Sequence, residues 1–132
     1  MKSRLVALVT VGILMFGIAA YAHHSFAGSY VEDKLIRIEG TVKEFNIRNP
    51  HSFISIEVKQ KDGTVVRWGG EWGGVTQLSQ GGVDRYTLEI GDHLIIDGAP
   101  SRDATEKKLL VRRASRPKSA TRDAWEWSGN VQ

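Results

Sequence analysis

The chain has no cysteine. That excludes disulfides, thiolate metal sites and a lipid-anchored cysteine, so the core alone must hold the fold together. It also lacks a strong charge excess: 18 Lys and Arg against 15 Asp and Glu leave a formal charge of +3. No internal repeat or long low-complexity segment is present, and the glycine pairs lack the Lys-Ser/Thr that completes a phosphate-binding loop. Histidine is scarce, with 4 in 132 residues. Ser25 and Ser52 stand beside histidines, but neighbours on an extended chain diverge, and no acid is placed to complete a relay. The sequence therefore argues against an enzyme of the nucleophile-relay type.

What is there begins at the amino terminus. Lys2 and Arg4 precede an uncharged apolar run, Leu5 to Ala20, which ends in Ala20-Tyr21-Ala22 and is followed by His23-His24-Ser25-Phe26. Basic start, apolar middle and small-x-small exit read as a secretory signal peptide over residues 1–22. Leu5 to Ala22 is near the lower length limit for a membrane span. Gly12, Gly17 and the Ala-x-Ala exit favour cleavage, which leaves a periplasmic or secreted product with no stable membrane span. Cutting after Ala22 leaves 110 residues (132 − 22), one domain's worth, and removing Lys2 and Arg4 takes the charge from +3 to +1. The remaining basic residues crowd one end: Arg112, Arg113, Arg116, Lys118 and Arg122. They read as a solvated tail, and a nucleic-acid partner is not expected for an exported chain.

The body has the two-residue period of β-structure. Ile36, Ile38 and Val42 alternate with polar residues from Leu35 to Ile47, and the parity then shifts to Phe45 and Ile47. This predicts a bulge near Lys43-Glu44, with Gly40 easing a bend. Ser52 to Lys59 is a second strand, Lys61-Asp62-Gly63 a hairpin turn, and Thr64 to Trp68 a third strand. Gly69 to Gly74 reads as a glycine-dense loop, and Val75 to Gln80 as one or two helical turns stopped by Gly81-Gly82. His93 to Gly98 and Lys108 to Ala114 complete the set. Three strands, a short helix and two strands, with a bent first strand, give an all-β expectation: a small five-stranded OB-like Greek-key barrel. A split barrel or small sandwich has the same strand count. The barrel spans residues 23–116, and 117–132 form a C-terminal tail or edge strand in which Trp125 and Trp127 cover the barrel edge.

Two constellations carry candidate chemistry. Export would leave His23 at the terminus, where its amine and imidazole can hold one metal ion together. His51, fixed on the Asn49-Pro50-His51 turn at one end of the barrel, can add a third nitrogen. His24 is adjacent and points the other way on an extended chain. Nitrogen donors suit copper first and zinc second. His93 reads as an ordinary surface histidine. The second constellation is Trp68, Glu71 and Trp72: Trp68 on a strand is core material, whereas Trp72, between Gly-Gly pairs, is available to a ligand such as a glycan or peptide, with Glu71 beside it.

Ala22-His23-His24-Ser25-Phe26, Gly40-Thr41-Val42, Asn49-Pro50-His51, Gly91-Asp92 and Gly98-x-Pro100-x-Arg102-Asp103 together resemble a family of small exported bacterial proteins of unassigned function. The Trp68-x-x-Glu71 stretch is similar to that family's pattern as well. The resemblance covers essentially the whole mature chain and implies a compact β-barrel exported to the periplasm. The family's Trp-x-Asn-Pro-His appears here as Ile47-Arg48-Asn49-Pro50-His51. The reading that results is a periplasmic metal-binding accessory protein, copper the first choice and zinc the second, without enzymatic activity. The competing reading is a metal-free module that binds a glycan, peptide or partner subunit through an aromatic barrel face. An oxidase-like copper enzyme is the third.

Overall fold

A computed structural model describes residues 26–131. The signal peptide expected over residues 1–22, and His23 and His24 after it, lie outside the described residues. The elements follow one another as β1 (Ile36–Asn46), β2 (Ser52–Lys59), β3 (Val65–Trp72), the short helix Val75–Gln80, β4 (His93–Pro100), β5 (Lys108–Arg116) and β6 (Trp125–Ser128). Neighbouring strands run in the order β3-β2-β1-β4-β5-β6, and a further pairing of β3 with β5 closes the first five into a barrel. That closing seam is parallel, and every other strand pairing is antiparallel. Five closed strands with a helix between the third and fourth are the OB-like Greek-key barrel.

β1 is long enough to serve two neighbours because it bends. It pairs with β4 over Ile36–Thr41 and with β2 over Thr41–Asn46, and its register to β2 slips between Val42 and Glu44. The bulge falls at Lys43, where the apolar parity of the sequence changes. Inward residues of both halves meet in one core: Val42, Ile54, Ile56, Leu94, Ile96, Leu109, Leu110 and Val111 are each at most 1% exposed. Leu78 is the side chain that the short helix sends into this core.

β3 differs from the expectation. It does not stop at Trp68 but runs through Gly69-Gly70-Glu71 to Trp72, paired with β2 along its whole length. The glycines mark the barrel seam and not a loop. At Gly70 a Cβ would stand 2.7 Å from Ile54 Cγ2 and 3.0 Å from Val111 Cγ2, so only glycine allows β3 and β5 to close over the core. β4 and β5 likewise each run two residues beyond their expected ends.

The C-terminal segment is an edge strand. β6 pairs with β5, so Trp127 reaches the core while Trp125 packs against its border. The basic run ahead of it is not uniformly solvated. Arg116 is only 9% exposed and is paired with Asp92, which is 8% exposed. Burial of that pair ties the loop before β4 to the last residue of β5.

Candidate functional site

The Asn49-Pro50-His51 turn between β1 and β2 is fastened from three sides. The Ser52 hydroxyl is fully buried; it accepts from the Arg48 N–H at 3.2 Å and donates to the Arg48 carbonyl at 3.3 Å, closing the turn on itself. Asn49 Oδ1 accepts from the Val75 N–H at 2.9 Å, satisfying a free donor at the start of the short helix. Ser52 N–H bonds the Gly73 carbonyl at 3.1 Å, joining the turn to the end of β3.

His51 is thereby held over the outer face of β3. Its Nδ1 lies 2.7 Å from Glu71 Oε1, with the two side chains 28% and 14% exposed. The other carboxylate oxygen, Oε2, accepts from the Tyr30 hydroxyl at 2.5 Å. Tyr30 is 1% exposed, and its hydroxyl pKa is driven far above the ordinary tyrosine value, first by burial and then by the hydrogen bond and charge of Glu71. It therefore stays a neutral donor throughout the physiological range. The result is a chain Tyr30–Glu71–His51 drawn from three separate parts of the sequence.

The segment before β1 completes the surroundings. The Phe26 ring packs on the His51 imidazole with centroids 4.7 Å apart, and Phe26 is itself 4% exposed. This segment is anchored by Arg102, whose Nε donates to the Ala27 carbonyl at 2.7 Å and whose backbone N–H reaches the Ser29 carbonyl at 2.9 Å. Tyr30 bridges Ser101, and the Lys108 ammonium stands 5.5 Å from the Tyr30 ring. Pro100-x-Arg102 is thus the fastening for the N-terminal segment. Phe26 follows His23 by three residues, a stretch that spans at most about 10 Å of extended chain.

Chemically, a histidine that spends Nδ1 on a carboxylate is fixed in one tautomer and presents Nε2 as a lone-pair donor, the usual posture of an imidazole ligand. Glu71 and Tyr30 stand in the positions of the outer partners that orient such a ligand. Among the described residues, no group of three or more His, Cys, Asp or Glu side chains gathers into a ready-made metal site.

The other sequence candidates separate. Trp72 is fully buried, in a T-shaped contact with Trp127 at 5.0 Å and a tilted one with Phe45 at 6.2 Å, so it forms no recognition surface. The continued strand is the reason, since it pairs Trp72 with Ser52 and turns it inward, leaving its Nε1 without a hydrogen-bond partner. Glu71, one residue away, faces outward and joins His51. Trp68 is partly buried against the core with the Lys107 ammonium 5.6 Å from its ring. His93 pairs with Glu39 at 2.6 Å on an exposed stretch of β4, apart from the His51 cluster. Tyr30 and Arg102 are site residues that sequence reasoning missed. Tyr30 carried no signal of its own, and Arg102 appeared only as part of a motif.

The model of a family of unknown function, DUF6152, matches residues 11–110. The chain belongs to that family. Among solved structures it is similar to two crystal structures of the mitochondrial single-stranded DNA binding protein Rim1 of S. cerevisiae, one of them selenomethionine-labelled. Identities are 15% and 16%, the match covers 66% of this chain and 96% and 97% of theirs, and the TM-score is 0.49 for both. No curated protein matches the chain.

Proposed function

We propose that this DUF6152 protein is an exported, periplasmic copper-binding accessory protein. Once residues 1–22 are removed, the His23 amine and imidazole and the His51 Nε2 hold the ion, with His24 adjacent. Zinc is the second candidate for the same nitrogens. The observation that carries this reading is the Tyr30–Glu71–His51 chain beside Phe26. It orients His51 as metal ligands are oriented, and it lies where a segment only three residues longer than the described one begins. Glu71 and Tyr30 act as outer partners and not as ligands, because both carboxylate oxygens already accept hydrogen bonds.

The test is a copper titration of the exported protein after Edman sequencing has established a His-His-Ser-Phe start. One tight site is expected. His51→Ala, or one extra residue ahead of His23, should weaken it by more than the about 10–100-fold that loss of an outer partner costs. Binding should also weaken in acid, since protons compete for the same nitrogens. His93→Ala, remote from the cluster, should leave the affinity unchanged. Equal affinity in the parent, the extended protein and His51→Ala would reject the shared site.

A further inference from the structure

We propose that the outer face of β1, β2 and β3 carries a binding site for a neutral pyranose sugar, built on Phe53 beside the bare strand position Gly69. The inference is independent of the copper reading and shares no residue with the His51 cluster. Every residue it uses lies on β1, β2, β3 or the turn after β1.

Gly69 is the first observation. Its neighbour Gly70 is required by the fold, since a Cβ there would meet Ile54 and Val111. Gly69 is not. A Cβ at Gly69 would meet nothing closer than the Lys107 carbonyl oxygen at 4.0 Å, an ordinary contact, so the approach of β5 does not demand glycine here. Its φ is not positive, and the register with β2 runs unbroken through Gly69 and Ser55, so it serves no turn and no bulge. A glycine inside a strand weakens it, and with bulge and neighbouring backbone set aside, close approach of a ligand is the remaining common reason for one.

The second observation is what surrounds the space above Gly69. A cavity of about 230 Å³ is lined there by Phe53, Ser55, Glu44, Asn46 and Arg48. In the strand ladder Ser55 stands opposite both Glu44 and Gly69, and Phe53 opposite Asn46, so these positions share one side of the sheet. The volume is below the roughly 300–1,000 Å³ of sites for drug-sized molecules and suits a single ring. Arg48 stands over the Phe53 ring at 4.9 Å from its centroid, and Asn46 Nδ2 donates to Glu44 Oε1 at 3.2 Å. Neither Arg48 nor Glu44 enters an ion pair among the described residues.

The chemistry of this lining selects the ligand. Sugar hydroxyls both donate and accept, and the cavity offers guanidinium donors, carboxylate acceptors, and an amide and a hydroxyl that do both. The C–H groups of a pyranose carry slight positive charge, which suits the negative face of an aromatic ring. One cation and one anion line the cavity, so it has no surplus of positive charge for a phosphate backbone. A peptide strand could not add here, because β2 already has β1 on one side and β3 on the other and leaves no open edge.

The experiment is an amide-resolved NMR titration of the exported protein with glucose, galactose, mannose and N-acetylglucosamine, with glucuronate and oligothymidylate as ionic controls. At least one neutral sugar should shift the amides of Phe53, Ser55 and Gly69 and saturate in the millimolar range. Gly69→Val places a strand-favouring residue in open space, so it should melt no lower than the parent and abolish the shifts at Phe53 and Ser55. Phe53→Ala should weaken binding about tenfold, the scale of one aromatic contact. Four neutral sugars without a saturable shift would overturn the inference, and so would a Gly69→Val protein that binds as the parent does. A Gly69→Val protein that melts well below the parent overturns it as well, because the glycine would then serve the fold. Tighter binding of glucuronate or oligothymidylate than of every neutral sugar would reject the ligand class.

Discussion

The buried pair between Arg116 and Asp92 allows an asymmetric stability prediction. Its side chains are 10% and 6% exposed, so neither charge is solvated by bulk water. Asp92 Oδ2 serves three donors: Arg116 Nη1 at 3.1 Å, the Glu89 N–H at 3.0 Å and Arg122 Nη2 at 3.4 Å. Arg116 also donates to the carbonyls of Thr87 at 2.6 Å and Asp123 at 3.2 Å. Removing either member is not equivalent. Arg116→Met retains apolar volume and leaves Asp92 with a guanidinium and a backbone donor, and the Thr87 carbonyl with Arg122 Nη2 at 3.0 Å. Its cost should be about 1–2 kcal/mol, the scale of lost hydrogen bonds to a charged group. Asp92→Ala leaves two guanidiniums without their common anion, one of them nearly inaccessible to water. The cost of breaking a buried pair, about 3–5 kcal/mol, then applies, reduced toward about 3 because Arg122 retains Glu89.

Thermal unfolding followed by tryptophan fluorescence measures both. With about 4 °C in Tm per kcal/mol for a domain of this size, Asp92→Ala should melt about 12 °C below the parent and Arg116→Met about 4–8 °C below. High salt should not erase the difference, because a buried pair is weakly screened. Equal costs, or a larger cost for Arg116→Met, would refute the view that Asp92 is the shared anion of the cluster.

Two further outcomes follow from the barrel. Gly40→Ala should unfold or strongly destabilise the protein, because a Cβ there would stand 2.1 Å from the Glu57 carbonyl oxygen, backbone that cannot swing aside; a melting curve like the parent's would show that β1 can rebend. Acid should destabilise the fold through Asp97, held below the ordinary aspartate range first by the Arg37 hydrogen bond, and through Asp62, Asp84 and Asp103, held down by local Thr and backbone donors. Since the folded values are depressed, this stabilisation is complete above the unfolded aspartate value of about 3.9 and is lost as pH falls below it. Thermal melts across that window should show a shallower decline for Asp97→Asn than for the parent.

The strand pattern, the short helix and the β1 bulge were legible because each rests on local parity: apolar residues two apart, a parity change at Lys43, and a glycine pair after Gln80. The site was legible only in part, and β3 explains why. Glycine density between Trp68 and Val75 reads as loop when each residue is weighed alone, and that places Trp72 on the surface. Two-residue alternation continued from Trp68 instead carries Gly70 and Trp72 inward and Gly69 and Glu71 outward, the arrangement observed. Gly70 is required there by β5, a strand far away in sequence that must approach closely to shut the barrel. A non-local demand thus imitated a local loop signal. The same closure places Leu110 opposite Glu71 and, through the Ser101–Tyr30 bridge beside it, delivers the tyrosine to the carboxylate. His51 could be singled out from a three-residue turn. Its partners could not, because Tyr30 and Glu71 become neighbours only once β3 and β5 meet.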